Sequence, residues 1–153
     1  MPYRLALSVC LVTLATGTGC TQGKPPVVPA GGKVMYKGTT PAVGALVVFH
    51  PASYEIEKQI GGKPFGRVRE DGSFTLTTYE EGDGAPEGEY GVTIDWRGVP
   101  GDDKGKLVLS SEGSETKSVG PLRIHPKYAN PQQPFTSVTI KKGQTNHFEF
   151  TVE

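Results

Sequence analysis

From residue 31 onward, apolar and polar positions alternate with a period of two. Val34 and Tyr36 fall on one side of such a strand, while Lys33, Met35 and Lys37 fall on the other. This alternation marks a half-buried β-strand, because successive side chains leave opposite faces of the backbone. Residues 38–41 then make a turn, and the nearly continuous apolar run 45–49 predicts a strand buried on both faces. Residues 66–69 and 73–77 flank Glu70-Asp71-Gly72, where an Asp-Gly pair supplies the positive φ of a tight hairpin. Phe74 and Leu76 point inward from its second arm. In 89–96, Tyr90, Val92, Ile94 and Trp96 share one face, and Glu89, Thr93 and Asp95 the other. Strands 136–141 and 147–153, joined by Lys142-Gly143-Gln144-Thr145, carry inward stripes of Val138 and Ile140, then Phe148, Phe150 and Val152. Seven short strands with no helical period predict an all-β fold, a β-sandwich.

Two stretches break the rhythm. Residues 54–64 read as a loop rich in Lys, Glu and Gly, and 98–130 is longer than a compact domain normally leaves without structure. Leu107-Val108-Leu109 forms a candidate extra strand inside it. Composition agrees with short elements: 21 Gly and 13 Pro make up more than a fifth of the 153 residues, which opposes long helices. With 16 basic and 16 acidic residues, no global field favours nucleic acid or a polybasic membrane contact.

The first twenty residues are of another kind. Arg4 precedes an apolar run of about ten residues, Leu5 to Leu14, too short to span a bilayer of roughly 30 Å. Small residues lead to Cys20, and residues 1–19 therefore read as an export signal of lipoprotein type. Cys20 is the lipidation candidate, although Gly17 stands three residues before it where Leu, Val or Ile is usual; secretion after ordinary cleavage is the alternative. Cys10 leaves with the signal, so Cys20 is the one cysteine of the mature chain, and acylation would remove a lone thiol from an oxidising compartment. Residues 20–30, with Pro25, Pro26 and Pro29, form a linker expected to be extended and to lift the domain (31–153) off its anchor.

The run from Gly31 to Gly38, then Pro41 and Gly44 to Phe49, resembles the opening of transthyretin-like domains related to the regulatory domain of carboxypeptidases. The Asp71-Gly72-Ser73-Phe74 hairpin and the Gly88-Glu89-Tyr90-Gly91-Val92 strand are similar to that group's later motifs. With its lipoprotein-type start, the chain resembles small lipoproteins of planctomycete bacteria. The resemblance implies a seven-stranded prealbumin-like (Ig-like, transthyretin-like) sandwich serving as an accessory module. It transfers no binding residue, because its motifs are turns and core positions.

Candidate chemistry is sparse. Glu80, Glu81, Asp83, Glu87 and Glu89 could supply oxygen ligands for Ca²⁺, but their spacing is not that of an EF-hand loop and the glycines among them suit a surface turn. His50, His125 and His147 lack the paired spacing of a zinc site. No nucleophile elbow or phosphate-binding loop occurs. Trp96, Tyr79 and Tyr128 are candidate contacts for a sugar ring, with Trp96 also in step with the core face of its strand. The expectation is a cell-envelope lipoprotein without catalysis or cofactor, held to a membrane through Cys20 and contacting an envelope protein. An extracellular module binding polysaccharide or Ca²⁺ is the alternative. A sandwich of this type should leave an edge strand open to a partner strand; the sequence does not say which.

Overall fold

The computed structural model describes residues 23–98 and 120–153. Residues 1–19, read as an export signal, Cys20 and the Leu107–Leu109 candidate strand lie outside them.

Among the described residues, the chain is mostly β. Its strands are β1 (Val27–Val28), β2 (Ala30–Tyr36), β3 (Thr40–Pro41), β4 (Leu46–Pro51), β5 (Phe65–Arg67), β6 (Ser73–Thr75), β7 (Ala85–Pro86), β8 (Gly88–Asp95), β9 (Thr136–Ile140) and β10 (Asn146–Val152). These ten exceed the expected seven because three of them, β1, β3 and β7, are two-residue pairings that no periodicity can reveal. One sheet sets β2 between β10 on one side and β3 and β6 on the other. A second sheet has the order β5-β4-β8-β9, and β1 pairs with β7 in a small ribbon.

The two larger sheets bury their inner faces against each other. Val34, Phe74, Phe150 and Val152 come from the first, and Val47, Phe49, Tyr90, Val92, Ile94 and Ile140 from the second. Phe49 joins them, with its ring 6.4 Å from Phe74 and 5.7 Å from Phe148. Each alternating stripe thus finds its apolar counterpart, which is what a sandwich core requires. The Tyr90 hydroxyl is satisfied at its buried end by donating to the Pro86 carbonyl at 2.8 Å. Burial pushes its pKa up to about 12, because the anion would lose its hydration.

The turns follow from backbone chemistry. Lys37 and Gly38 both take positive φ, 51° and 73°, at the centre of a tight turn between β2 and β3 in which the Thr39 N–H donates to the Tyr36 carbonyl. At Asp71-Gly72 the turn is as expected, with Gly72 at φ 82° and Ser73 donating both N–H and O–H to the Asp71 carboxylate. Those bonds hold the Asp71 pKa below its usual range. The hairpin's arms nevertheless serve different sheets: β5 pairs with β4, and β6 pairs with β2. Phe65 and Thr77 exchange backbone bonds of 3.1 and 2.8 Å, and so close this side of the sandwich.

Three expectations need correction. Residues 54–64 contain a helix, α1 (Tyr54–Ile60), capped by Ser53 at its start and by Gly61 at φ 72°. Its apolar positions Ile56 and Ile60 are only half-buried, so two residues gave too little periodicity against a polar background. Residues 45–49 are not buried on both faces: Ala45, Val47 and Phe49 are buried, while Leu46 and Val48 are half-buried, because the outer face of an antiparallel sheet is only partly covered. Within the stretch read as a linker, Val27 and Val28 pair with Pro86 and Ala85. That pairing docks residues 27–28 on the domain.

Candidate functional site

The last two strands leave one side of the sandwich open. β9 pairs with β8 and β10 runs parallel to β2; among the described residues neither pairs with a further strand. The five residues between them cross from one sheet to the other instead of closing a hairpin, so both strands become edges. The crossing is held by Asn146, a buried polar residue whose amide meets the backbone of Lys141, Gln144 and Pro29. Glu87 adds to it by accepting from the Lys142 N–H at 2.8 Å.

Between the two edges lies a groove of about 560 Å³. Phe135, Val138 and Phe148 line it and are only half-buried, beside Phe150, which is 8% exposed. Thr136, His147, Glu149 and Thr151 form its polar rim. Exposed backbone donors and acceptors next to a partly covered apolar seam are the two things an added strand uses. Along Thr136–Ile140 no Lys, Glu or Pro guards the edge.

A second concavity of about 640 Å³ lies over the start of β2, walled by Arg69, Ser73 and Thr75 on one side and by Gln144, Thr145 and His147 on the other. The sequence reading missed it. Its signal was the Gly31-Gly32 pair inside a strand, since glycine in a strand interior marks a close backbone approach. A Cβ on Gly32 would lie within 1.8 Å of the Phe148 carbonyl.

The aromatic residues singled out from the sequence do not converge. Trp96 is 9% exposed, donates its indole N–H to the Val43 carbonyl at 2.8 Å, and packs edge-on against Tyr36. Tyr79 donates its hydroxyl to Pro25, with Lys24 over its ring at 4.9 Å. Its pKa is raised by burial and by Asp83. Tyr128, in a short 3-10 helix (Pro126–Ala129), is buried edge-on against Phe135. It lines a third concavity of about 540 Å³ with Pro134 and Gln133.

The acidic run is tied into the fold at two points. Asp83 accepts backbone N–H bonds from Thr78, Tyr79 and Glu80 at 2.7, 2.9 and 3.0 Å. Burial alone would raise its pKa, but these donors outweigh it and hold the carboxylate low. Both Asp83 oxygens therefore organise the loop 77–84. Among the described residues, no three His, Cys, Asp or Glu side chains converge as metal ligands. His50 shares a 2.8 Å hydrogen bond with Thr93. Its pKa is lowered by burial and by Lys63, against the opposing pull of Glu57. No helix of the described residues is long and apolar enough to cross a membrane.

Comparison with protein-family models, with curated proteins and with solved structures yields no match for this chain, so its own geometry carries the functional reading.

Proposed function

We propose that the chain is a non-catalytic lipoprotein of the cell envelope, anchored through acylated Cys20, whose β-sandwich makes a protein–protein contact by strand addition at the side formed by β9 and β10. The open pair of edges around the Phe148 groove carries this reading. A transthyretin-like, carboxypeptidase-regulatory-like module is the fold we assign. Setting aside the two-residue strands leaves seven, three in one sheet and four in the other, which supports that assignment.

Intact mass with membrane fractionation, in a host that processes bacterial lipoproteins, tests the anchor. The expected product starts at Cys20, carries added diacylglyceryl mass and sediments with membranes, and Cys20→Ala releases it. An unmodified chain in the medium would overturn the anchor and favour a freely secreted binding module. The concavity beside Arg69 is the feature that favours that second reading.

A further inference from the structure

The outer face of the sheet formed by β6, β2 and β10 carries side chains in rows. Thr75, Gly31 and His147 lie side by side, and Ser73, Lys33 and Glu149 form the next row. Gly31 leaves a gap in the middle of its row. The gap is obligatory, because a Cβ there would meet the Phe74 carbonyl oxygen at 2.3 Å. The result is the concavity of about 640 Å³, within the range of roughly 300–1,000 Å³ typical of small-ligand sites.

Arg69, an exposed side chain, lines this gap. Its Nη2 donates to Thr75 Oγ1 at 2.8 Å and its Nη1 reaches Ser73 Oγ at 3.5 Å. Both acceptors are neutral hydroxyls. Among the described residues no carboxylate forms a direct ion pair with this guanidinium. Of the two acids that follow it in sequence, Glu70 is exposed and Asp71 is engaged by the N–H and O–H of Ser73, while Glu149 faces His147 at 3.8 Å. Arg69 thus meets hydroxyls directly and Asp71 only through Ser73, with N–H groups left to donate. A guanidinium fork matches the two oxygens of a carboxylate.

We propose that this concavity binds the carboxylate of an acidic sugar, a uronate residue of a polysaccharide, with Arg69 as the carboxylate ligand. Among the described residues lining the concavity Arg69 is the one Arg or Lys, which matches the single charge of a uronate. Around it, Thr75, Gln144 and Thr145 offer hydroxyl and amide groups to sugar hydroxyls. The bare Gly31 backbone and Pro29 offer a surface for the C–H face of the ring. The assignment does not depend on anchoring at Cys20.

Titration calorimetry of the full chain with trigalacturonate tests it, beside neutral galactotriose, inorganic phosphate and a short peptide with a free C-terminus. Trigalacturonate should bind at least tenfold more tightly than the neutral trimer. Arg69→Gln should abolish that preference without changing the melting temperature, and Arg69→Lys should restore only part of it, since a point charge lacks the fork. Equal affinity for acidic and neutral sugars would overturn the proposal. So would an unaltered Arg69→Gln variant, tighter binding of the peptide or of phosphate, or no binding at millimolar trimer.

Discussion

The side-chain amide of Asn146 and the peptide of Lys141 form a reciprocal pair. The Lys141 N–H donates to Oδ1 at 2.9 Å, and Nδ2 donates back to the Lys141 carbonyl at 3.0 Å. The amide thus imitates a neighbouring strand at the point where β9 ends, and its Nδ2 also reaches the carbonyls of Pro29 and Gln144 at 3.2 and 3.3 Å. Asn146→Ala removes a buried amide and four part-buried backbone bonds and should cost roughly 1–3 kcal/mol, read from urea unfolding. Asn146→Asp, which turns a carboxylate toward three carbonyls, should lose at least as much.

Gly84 holds the ribbon of β1 and β7 together. It sits at φ 99°, and a Cβ there would come within 1.9 Å of the Val28 carbonyl oxygen. Gly84→Ala should push β1 off the domain while leaving the main sheets intact. Hydrogen exchange at Val27 and Val28 should accelerate, with exchange in β8 unchanged; protection retained at β1 would contradict this view.

His50 should give the molecule an acid-sensitive limb. Its folded pKa is lowered by burial and by Lys63, while an unfolded imidazole titrates near ~6.5. Between those values the unfolded chain binds more protons, so stability rises with pH. The contribution is complete above about 6.5 and is lost as the pH falls through the folded value. Unfolding free energy measured between pH 7 and 5 should fall less steeply in His50→Gln, which keeps a partner for Thr93.

The edge proposal rests on Val138, half-buried at the groove. Val138→Lys places a charge where natural edge strands place guards. The variant should stay folded, with a loss of about 1 kcal/mol. A photoreactive residue at position 137 should give crosslinks in the host that vanish with Val138→Lys. They should persist with Tyr54→Ala, on the helix surface, where Tyr54 is 73% exposed. Crosslinks indifferent to Val138→Lys would remove the open side from the functional account.

Much of the architecture was legible because strand alternation is a local property. Tyr90, Val92 and Ile94 announce a buried face by spacing alone, and Asp71-Gly72 announces its turn by backbone chemistry. What stayed hidden depends on partners distant in sequence. Nothing in residues 136–153 shows that β10 joins β2 in parallel, or that the two last strands part company. Those facts need Ala30–Tyr36 in place. Arg69 was equally silent, since an exposed Arg becomes informative only when Gly31 and His147 are seen beside it. Trp96, Tyr79 and Tyr128 had a local pattern but no shared neighbourhood.

On the proposed acylation of Cys20, the docked strand β1 limits how far the domain can stand from a membrane. Lys24 and Pro25 are held on Tyr79, and Val27 and Val28 are paired, and only four Cα steps separate Lys24 from Cys20 along the chain. At about 3.3–3.6 Å per residue this is a leash of roughly 14 Å, less than half the ~30 Å hydrocarbon core of a bilayer. On the proposed acylation, the domain would ride against the headgroups with its Tyr79 end down. It would then meet only those partners that come to the membrane surface, and it could not sweep the space above.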